Sequence, residues 1–139
     1  MRQEPGRKKD RSKTKPARLP SYAKLRGRLD RVFSAWIRHR DTLPNGMGYC
    51  ISCRQFAPLQ CGHFIKRQHL ALRWDTRNAH GQCLRCNHFL GGNEAEYYHA
   101  LVKCYGQFTL NELMRRKHDN VKYTRADLQE MIAKFSKNT

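Results

Sequence analysis

The sequence predicts an α+β fold in which a small β-β-α unit, clamped by cysteines, sits between helices. Three observations carry the prediction. Two Cys-x-x-Cys pairs, Cys50/Cys53 and Cys83/Cys86, bracket a polar, turn-rich stretch. Ahead of them, Leu25, Leu29, Val32, Phe33, Trp36 and Ile37 recur at three- and four-residue spacing, the signature of one buried helix face. Behind them, apolar residues return at helical spacing in three further runs.

Taken in order, residues 1–20 are rich in Lys, Arg and Pro and have no hydrophobic period, so they read as a disordered basic arm. Residues 21–139 read as a single domain, since 139 residues allow one modest core. Its first helix covers 21–41 and breaks at Leu43-Pro44-Asn45-Gly46. Lys24, Arg28, Arg31, Arg38 and Arg40 lie off its apolar stripe, free to meet solvent or a polyanion. The clamped core covers 48–93, with hairpin strands at about 60–65 and 77–82 and a helix starting near Cys83. In that helix Leu84, Phe89 and Leu90 are expected to face inward, and Gly91-Gly92 to end it. C-terminal helices fill 94–137. Ala95, Tyr98, Leu101, Val102 and Tyr105 mark one stopped by Gly106; Leu110, Leu113 and Met114 mark a second; Thr124 with Asp127 starts a third. Trp36 and Trp74 read as core.

Charge narrows the partners. Against 11 Asp+Glu stand 28 Lys+Arg, a net charge of +17. Twelve basic residues against three acidic ones occur by Arg31. Such an excess neutralises phosphates and releases counterions, giving salt-sensitive affinity for nucleic acid. No apolar run approaches the ~20 residues of a membrane span, and no apolar segment of signal-peptide type follows the basic start. A cytoplasmic location without membrane contact is expected, so the paired cysteines read as metal ligands rather than disulfides. Four thiolates in two knuckles suit a tetrahedral zinc ion that is closed, hence structural.

Phosphodiester hydrolysis needs a base for water, a cation for the charge at phosphorus, and a group that orients the base. His63, on the first hairpin strand, suits the base. Asn78, on the opposing strand, can bond the backbone or the ring edge across the hairpin and hold His63. Asn87, directly after Cys86, can offer its carboxamide oxygen to Mg2+ or Mn2+. His80 shares a strand face with Asn78, so it is a second candidate ligand for that ion. Lys66, Arg67, Arg73 and Arg77 flank the site and are the expected DNA contacts.

This order of His63, Asn78 and Asn87 around a cysteine clamp resembles the zinc-stapled HNH nucleases of the ββα-metal fold. More closely, Cys61-Gly62-His63-Phe64-Ile65, the run Arg73 to Cys83, and Cys86-Asn87 through Gly92-Asn93 are similar to the NinG (Rap) recombination proteins of lambda-like bacteriophages. The likeness covers about residues 22–136. It implies a DNA endonuclease of phage recombination in the cytoplasm of the bacterial host, acting on branched DNA such as Holliday junctions or displacement loops. Carried over, Cys50, Cys53, Cys83 and Cys86 are zinc ligands, His63 the general base, Asn78 the orienting residue and Asn87 a ligand of the catalytic ion. Phage or host recombination proteins are implied partners, and the near-twofold symmetry of a junction suits a homodimer. One position departs from the pattern. Many HNH enzymes carry an acidic metal ligand just before the base, where this chain has Gly62. His88, Asn93, His80 and Cys61 are the candidate replacements. Two rival readings are a non-catalytic zinc-ribbon module that binds nucleic acid and an RNA-associated basic protein of ribosomal type.

Overall fold

In a computed structural model that describes residues 17–137, four α-helices surround a three-stranded antiparallel sheet. The predicted arm lies outside the described residues except for 17–20, which are exposed and irregular. None of the helices described is long and apolar enough to cross a membrane.

Helix α1 runs Tyr22–Asp41. Ser21 starts it by accepting the Lys24 amide at 3.3 Å, and Arg38, His39 and Arg40 sit at its electronegative end. Its predicted stripe is inside: Leu25, Leu29, Phe33 and Ile37 are buried. Helix α4, Arg125–Ser136, opens with the expected reciprocal cap, in which Asp127 N–H donates to Thr124 Oγ1 at 3.1 Å and Thr124 N–H donates to Asp127 Oδ2 at 2.7 Å. The two helices share one core with Trp74, Leu128, Ile132 and Phe135, and Trp36 packs at its margin.

Strands β1, Met47–Tyr49, β2, Phe56–His63, and β3, Ala79–Cys83, lie in the order β1-β2-β3. β1 pairs with the first half of β2, Met47 opposite Pro58. β3 pairs with the second half, Leu59 opposite Cys83 through His63 opposite Ala79. The expected hairpin is therefore present, but its first strand ends two residues early. Asn78 causes this: its backbone oxygen accepts the Phe64 amide at 2.9 Å and its side-chain Oδ1 accepts the Ile65 amide at 2.8 Å, which takes the chain out of the ladder. The short β1 was not foreseen, since three residues cannot display a period.

After β3 comes a single wide, π-helical turn, Arg85–Phe89, closed by Gly91 and Gly92 at φ 58° and 104°. Here the inward assignment is corrected. Leu84, Phe89 and Leu90 are 49%, 72% and 45% exposed, while Cys86 is the residue buried. One turn has only one inward position, and the cysteine cluster takes it. Helices α2, Glu94–Tyr105, and α3, Gln107–Arg116, follow, and Tyr97, Leu101, Leu110 and Leu113 build a second core with Ile65 and Leu72.

The sheet lies between these two cores because its residues alternate. Cys61, His63 and Ala79 face α1, and Gly62 and His80 face α2. The end of α1 is clipped to β3. Arg40 donates to the carbonyls of Thr76 and Ala79 at 2.9 and 2.8 Å, and Asp41 Oδ2 accepts the Gly81 amide at 2.7 Å. Arg40 is thus a structural clip rather than a free polyanion contact.

Fully burying Leu29, Phe33 or Ile37 stabilises by roughly 1.5–3 kcal/mol each. Leu29→Ala, at a 0% exposed site, is expected to cost about 2–5 kcal/mol in chemical denaturation while leaving the sheet and the paired cysteines in place.

Candidate active site and metal centre

The clamp draws one sulfur from each of four short pieces of chain. Cys50 follows β1, Cys53 lies in the next turn, Cys83 ends β3, and Cys86 is on the wide helical turn. Arg54, at φ 64°, closes the first knuckle by donating its amide to Cys50 O at 3.0 Å. All four Sγ atoms lie within 4.8 Å of one another. A regular tetrahedron with Zn–S of ~2.3 Å has edges of about 3.8 Å, and Cys53 Sγ to Cys83 Sγ is 3.7 Å. Asn93 adds a hydrogen bond from Nδ2 to Cys86 Sγ at 3.4 Å, the kind of outer contact that steadies a metal-bound thiolate.

Electrostatics agrees with the geometry. Burial acts to raise the Cys50 thiol, but the backbone amides of Cys53, Cys83 and Ser52 outweigh it and bring it down to about 7. Burial pushes Cys86 up to about 12 despite Asn93, with the neighbouring thiols adding to the rise. Four thiolates this close repel, so all four ionise together only around a cation. The donor set fits structural zinc.

Beside the clamp, a cavity of about 510 Å3 opens between α1 and the sheet, lined by residues that include Asp30, His63, Lys66, Arg67 and Asn87. His63 Nε2 lies 2.9 Å from the Arg73 carbonyl, which can only accept. The proton is therefore on Nε2, and Nδ1 keeps the lone pair. Burial holds the His63 pKa below its ordinary 6.5; the Arg73 carbonyl partly opposes this, and the charges of Arg67 and Arg73 reinforce it. The ring is neutral at physiological pH. Asn87 donates Nδ2–H to Gln60 Oε1 at 2.8 Å, which leaves its Oδ1 available.

Asn78 takes the backbone option. Fully buried, it donates to the carbonyls of Ile65 and Leu72 at 2.9 and 3.1 Å and accepts from Ile65 N–H, so it anchors the chain beyond His63 without touching the ring. His80, expected as a ligand of the catalytic ion, lies on the opposite sheet face, away from the cavity. Tyr97 Oη donates to Gly62 O at 2.9 Å and so accepts from His80 Nδ1–H at 3.1 Å; His80 Nε2 then accepts from Tyr105 Oη at 2.8 Å. Both its nitrogens are taken.

Of the four expected DNA contacts, Lys66 and Arg67 line the cavity. Arg73 does not: its side chain is 8% exposed and forms a two-pronged pair with Asp30 at 2.8 and 2.6 Å. Arg77 is paired with Asp75 at 3.0 Å. The replacements considered for the missing acid fare differently. Asn93 serves Cys86, His88 is exposed against Phe89, and Cys61 lines the cavity as a neutral thiol that burial pushes up to about 12. Gly62 itself has no room for an acid, because a Cβ there collides with the Gln82 carboxamide. Asp30 and Ser34 of α1 were missed as cavity residues; nothing local marks them, since 33 residues separate Asp30 from His63.

The family described as Bacteriophage Lambda NinG protein matches residues 1–139. This chain belongs to the NinG family. It is 30% identical over 131 residues to protein ninG of Escherichia phage 933W, covering 91% of this chain and 62% of that protein. It is 31% identical over 106 residues to protein ninG of Escherichia phage lambda and, over the same length, to that of Salmonella phage P22, covering 73% of this chain and 49% of each. The chain thus spans about half to three-fifths of the length of these relatives. No solved structure matches it significantly.

For this NinG chain, Cys50→Ser is expected to abolish stoichiometric zinc and collapse the sheet, read by metal analysis and circular dichroism. Burial, with Arg40 nearby, holds the His80 pKa at about 4 against an ordinary 6.5. The unfolded chain therefore takes up this proton first. Stability from His80 is complete above about pH 6.5 and is lost progressively down to about pH 4, amounting to about 3 kcal/mol. Melting curves across that window should fall less steeply for His80→Gln.

Proposed function

We propose that this NinG-family chain is a zinc-stapled endonuclease of the HNH type, cutting branched DNA during phage recombination with Mg2+ or Mn2+. The observation that carries the reading is one cavity that joins a neutral His63, its Nδ1 lone pair unblocked, to Asn87 and to the cations Lys66 and Arg67. Lys66 and Arg67 draw the phosphates of one strand into the cavity. His63 Nδ1 removes a proton from water as its oxygen attacks phosphorus in line; the new O–P bond forms, the P–O3′ bond breaks, and solvent protonates the leaving oxygen. Asn87 Oδ1, a phosphate oxygen and water are the donors available to a divalent cation, which would offset charge at the scissile phosphate. With most contacts made to phosphates, selectivity follows the shape of the DNA rather than its bases. Resolving a junction takes two nicks, which fits two copies of the chain, and other recombination proteins are the natural partners.

One observation favours the rival reading, a non-catalytic zinc-ribbon module that binds nucleic acid. Gly62 cannot carry an acid, and Asp30, the carboxylate lining the cavity, is already paired with Arg73.

A synthetic four-way junction separates the two. Wild type should nick it with Mg2+ or Mn2+ and not in chelator, whereas His63→Ala should keep its zinc, fold and junction affinity but lose nicking about 10²- to 10⁴-fold. Because the base must be neutral, activity should fall on the acid side at a pH below the ordinary histidine value of 6.5. Tight binding without cleavage in any divalent ion hands the case to the zinc-ribbon reading.

A further inference from the structure

Asp30 is separated from Arg73 by 43 residues and from Trp74 by 44, yet its carboxylate holds both. Oδ1 accepts from Arg73 Nε at 2.8 Å and from Trp74 Nε1 at 3.0 Å, and Oδ2 accepts from Arg73 Nη2 at 2.6 Å. Arg73 Nη1 also donates to the Arg67 carbonyl at 3.0 Å. Partners this well matched are seldom spent on an ordinary surface pair, and Arg73 is almost wholly buried. What the arrangement immobilises is the peptide unit between residues 73 and 74. Its two flanking side chains are tied to one carboxylate, which fixes the chain on either side of it and so the position of the carbonyl between them.

That peptide carries the oxygen that accepts His63 Nε2–H at 2.9 Å. A histidine ring chooses its tautomer by the hydrogen bond its other nitrogen makes. We infer that Asp30 is a positioning residue for His63: by gripping Arg73 and Trp74 on both sides of the accepting carbonyl, it holds the ring in the Nε2–H form and keeps the lone pair on Nδ1. The inference rests on the proposed nuclease reading for its consequence, though not for its structural content.

Asp30 has a second effect through charge. The groups facing His63 are Asp30 from α1, Arg67 and Arg73 from the segment between β2 and β3, with Cys61 and Lys66 on the same cavity wall and Phe33 against the ring at 5.9 Å between centroids. Asp30 offsets the two arginines. Without it the ring becomes a weaker base as well as a freer one. The pairing also explains why Asp30 does not stand in for the acid absent at Gly62: its negative charge is already met by Arg73, which makes it a poor ligand for a second cation.

The test uses the full zinc-loaded chain and reads the ring directly. Long-range 1H–15N spectra of histidine-labelled protein should show His63 as the Nε2–H tautomer in wild type. Asp30→Asn should give a mixed tautomer, Arg73→Lys, which keeps the charge but loses the fork, should move the same way, and Asp30→Glu should restore much of the wild-type signal. His80, held by its two tyrosines, should stay in the Nδ1–H form throughout and serves as the internal control. On a four-way junction, Asp30→Asn should lower kcat about 10- to 100-fold with KM changed little, as expected when a base is misaimed rather than removed. If Asp30→Asn does not fold, Arg73→Lys carries the measurement. Folded variants with an unchanged His63 tautomer overturn the inference. Unchanged tautomer ratios tell against Asp30 alone, whereas a wild type that binds but never nicks, with tautomers shifting as described, tells against the nuclease reading alone.

Discussion

Four sulfur atoms drawn to one point are the constraint on which this molecule depends. The sheet is small, β1 has three residues, and the helical turn after β3 has a single buried position. None of these pieces is stable alone, because a short strand or one helical turn cannot repay the entropy of ordering it. Each carries or adjoins a cysteine of the same cluster, whose donor set fits one cation that would offset the mutual repulsion of the thiolates and fix the pieces together. The register of β2 on β3, which places His63 opposite Ala79, follows from Cys83 being held opposite Leu59 at the other end of the ladder.

Around that anchor the charged side chains divide into two groups. Arg40, Arg73, Arg77 and Arg116 are spent on carboxylates and carbonyls, joining α1 and α3 to the segment before β3. Lys66 and Arg67 line the cavity instead, although Lys66 Nζ also donates to Gly91 O at 2.7 Å and lies 3.8 Å from Glu94. The count of 28 Lys+Arg therefore overstates what is available to a polyanion at the site, since part of it is internal mortar. The cavity is correspondingly mixed in character. It has cations at the rim, a neutral imidazole and a carboxamide inside, and a carboxylate already neutralised by its arginine.

Much of the local architecture was legible. α1, α2, α3 and α4 announce themselves by period, and Thr124 with Asp127 caps α4 as read. The cysteine cluster was legible because ligand spacing is a local property. The errors share a cause. Leu84, Phe89 and Leu90 read as an inward face only if the turn continues as a full α-helix, and it ends within five residues. His80 was given to the cavity from its strand face, but strand alternation places it on the other face of the sheet from His63, against Tyr97 and Tyr105.

By itself the sequence determined the four-cysteine clamp, the helices, the hairpin's existence and the chemical character of His63 and Asn87, because spacing and side-chain type are carried along the chain. The tertiary structure alone decided which cations line the cavity, which nitrogen of His63 holds its proton, and that Asp30 grips Arg73 and Trp74 from across the core. Those outcomes depend on distances between residues thirty or forty positions apart in the chain. Such distances arise only when packing brings α1 against the β2–β3 connection, and no periodicity or motif encodes them.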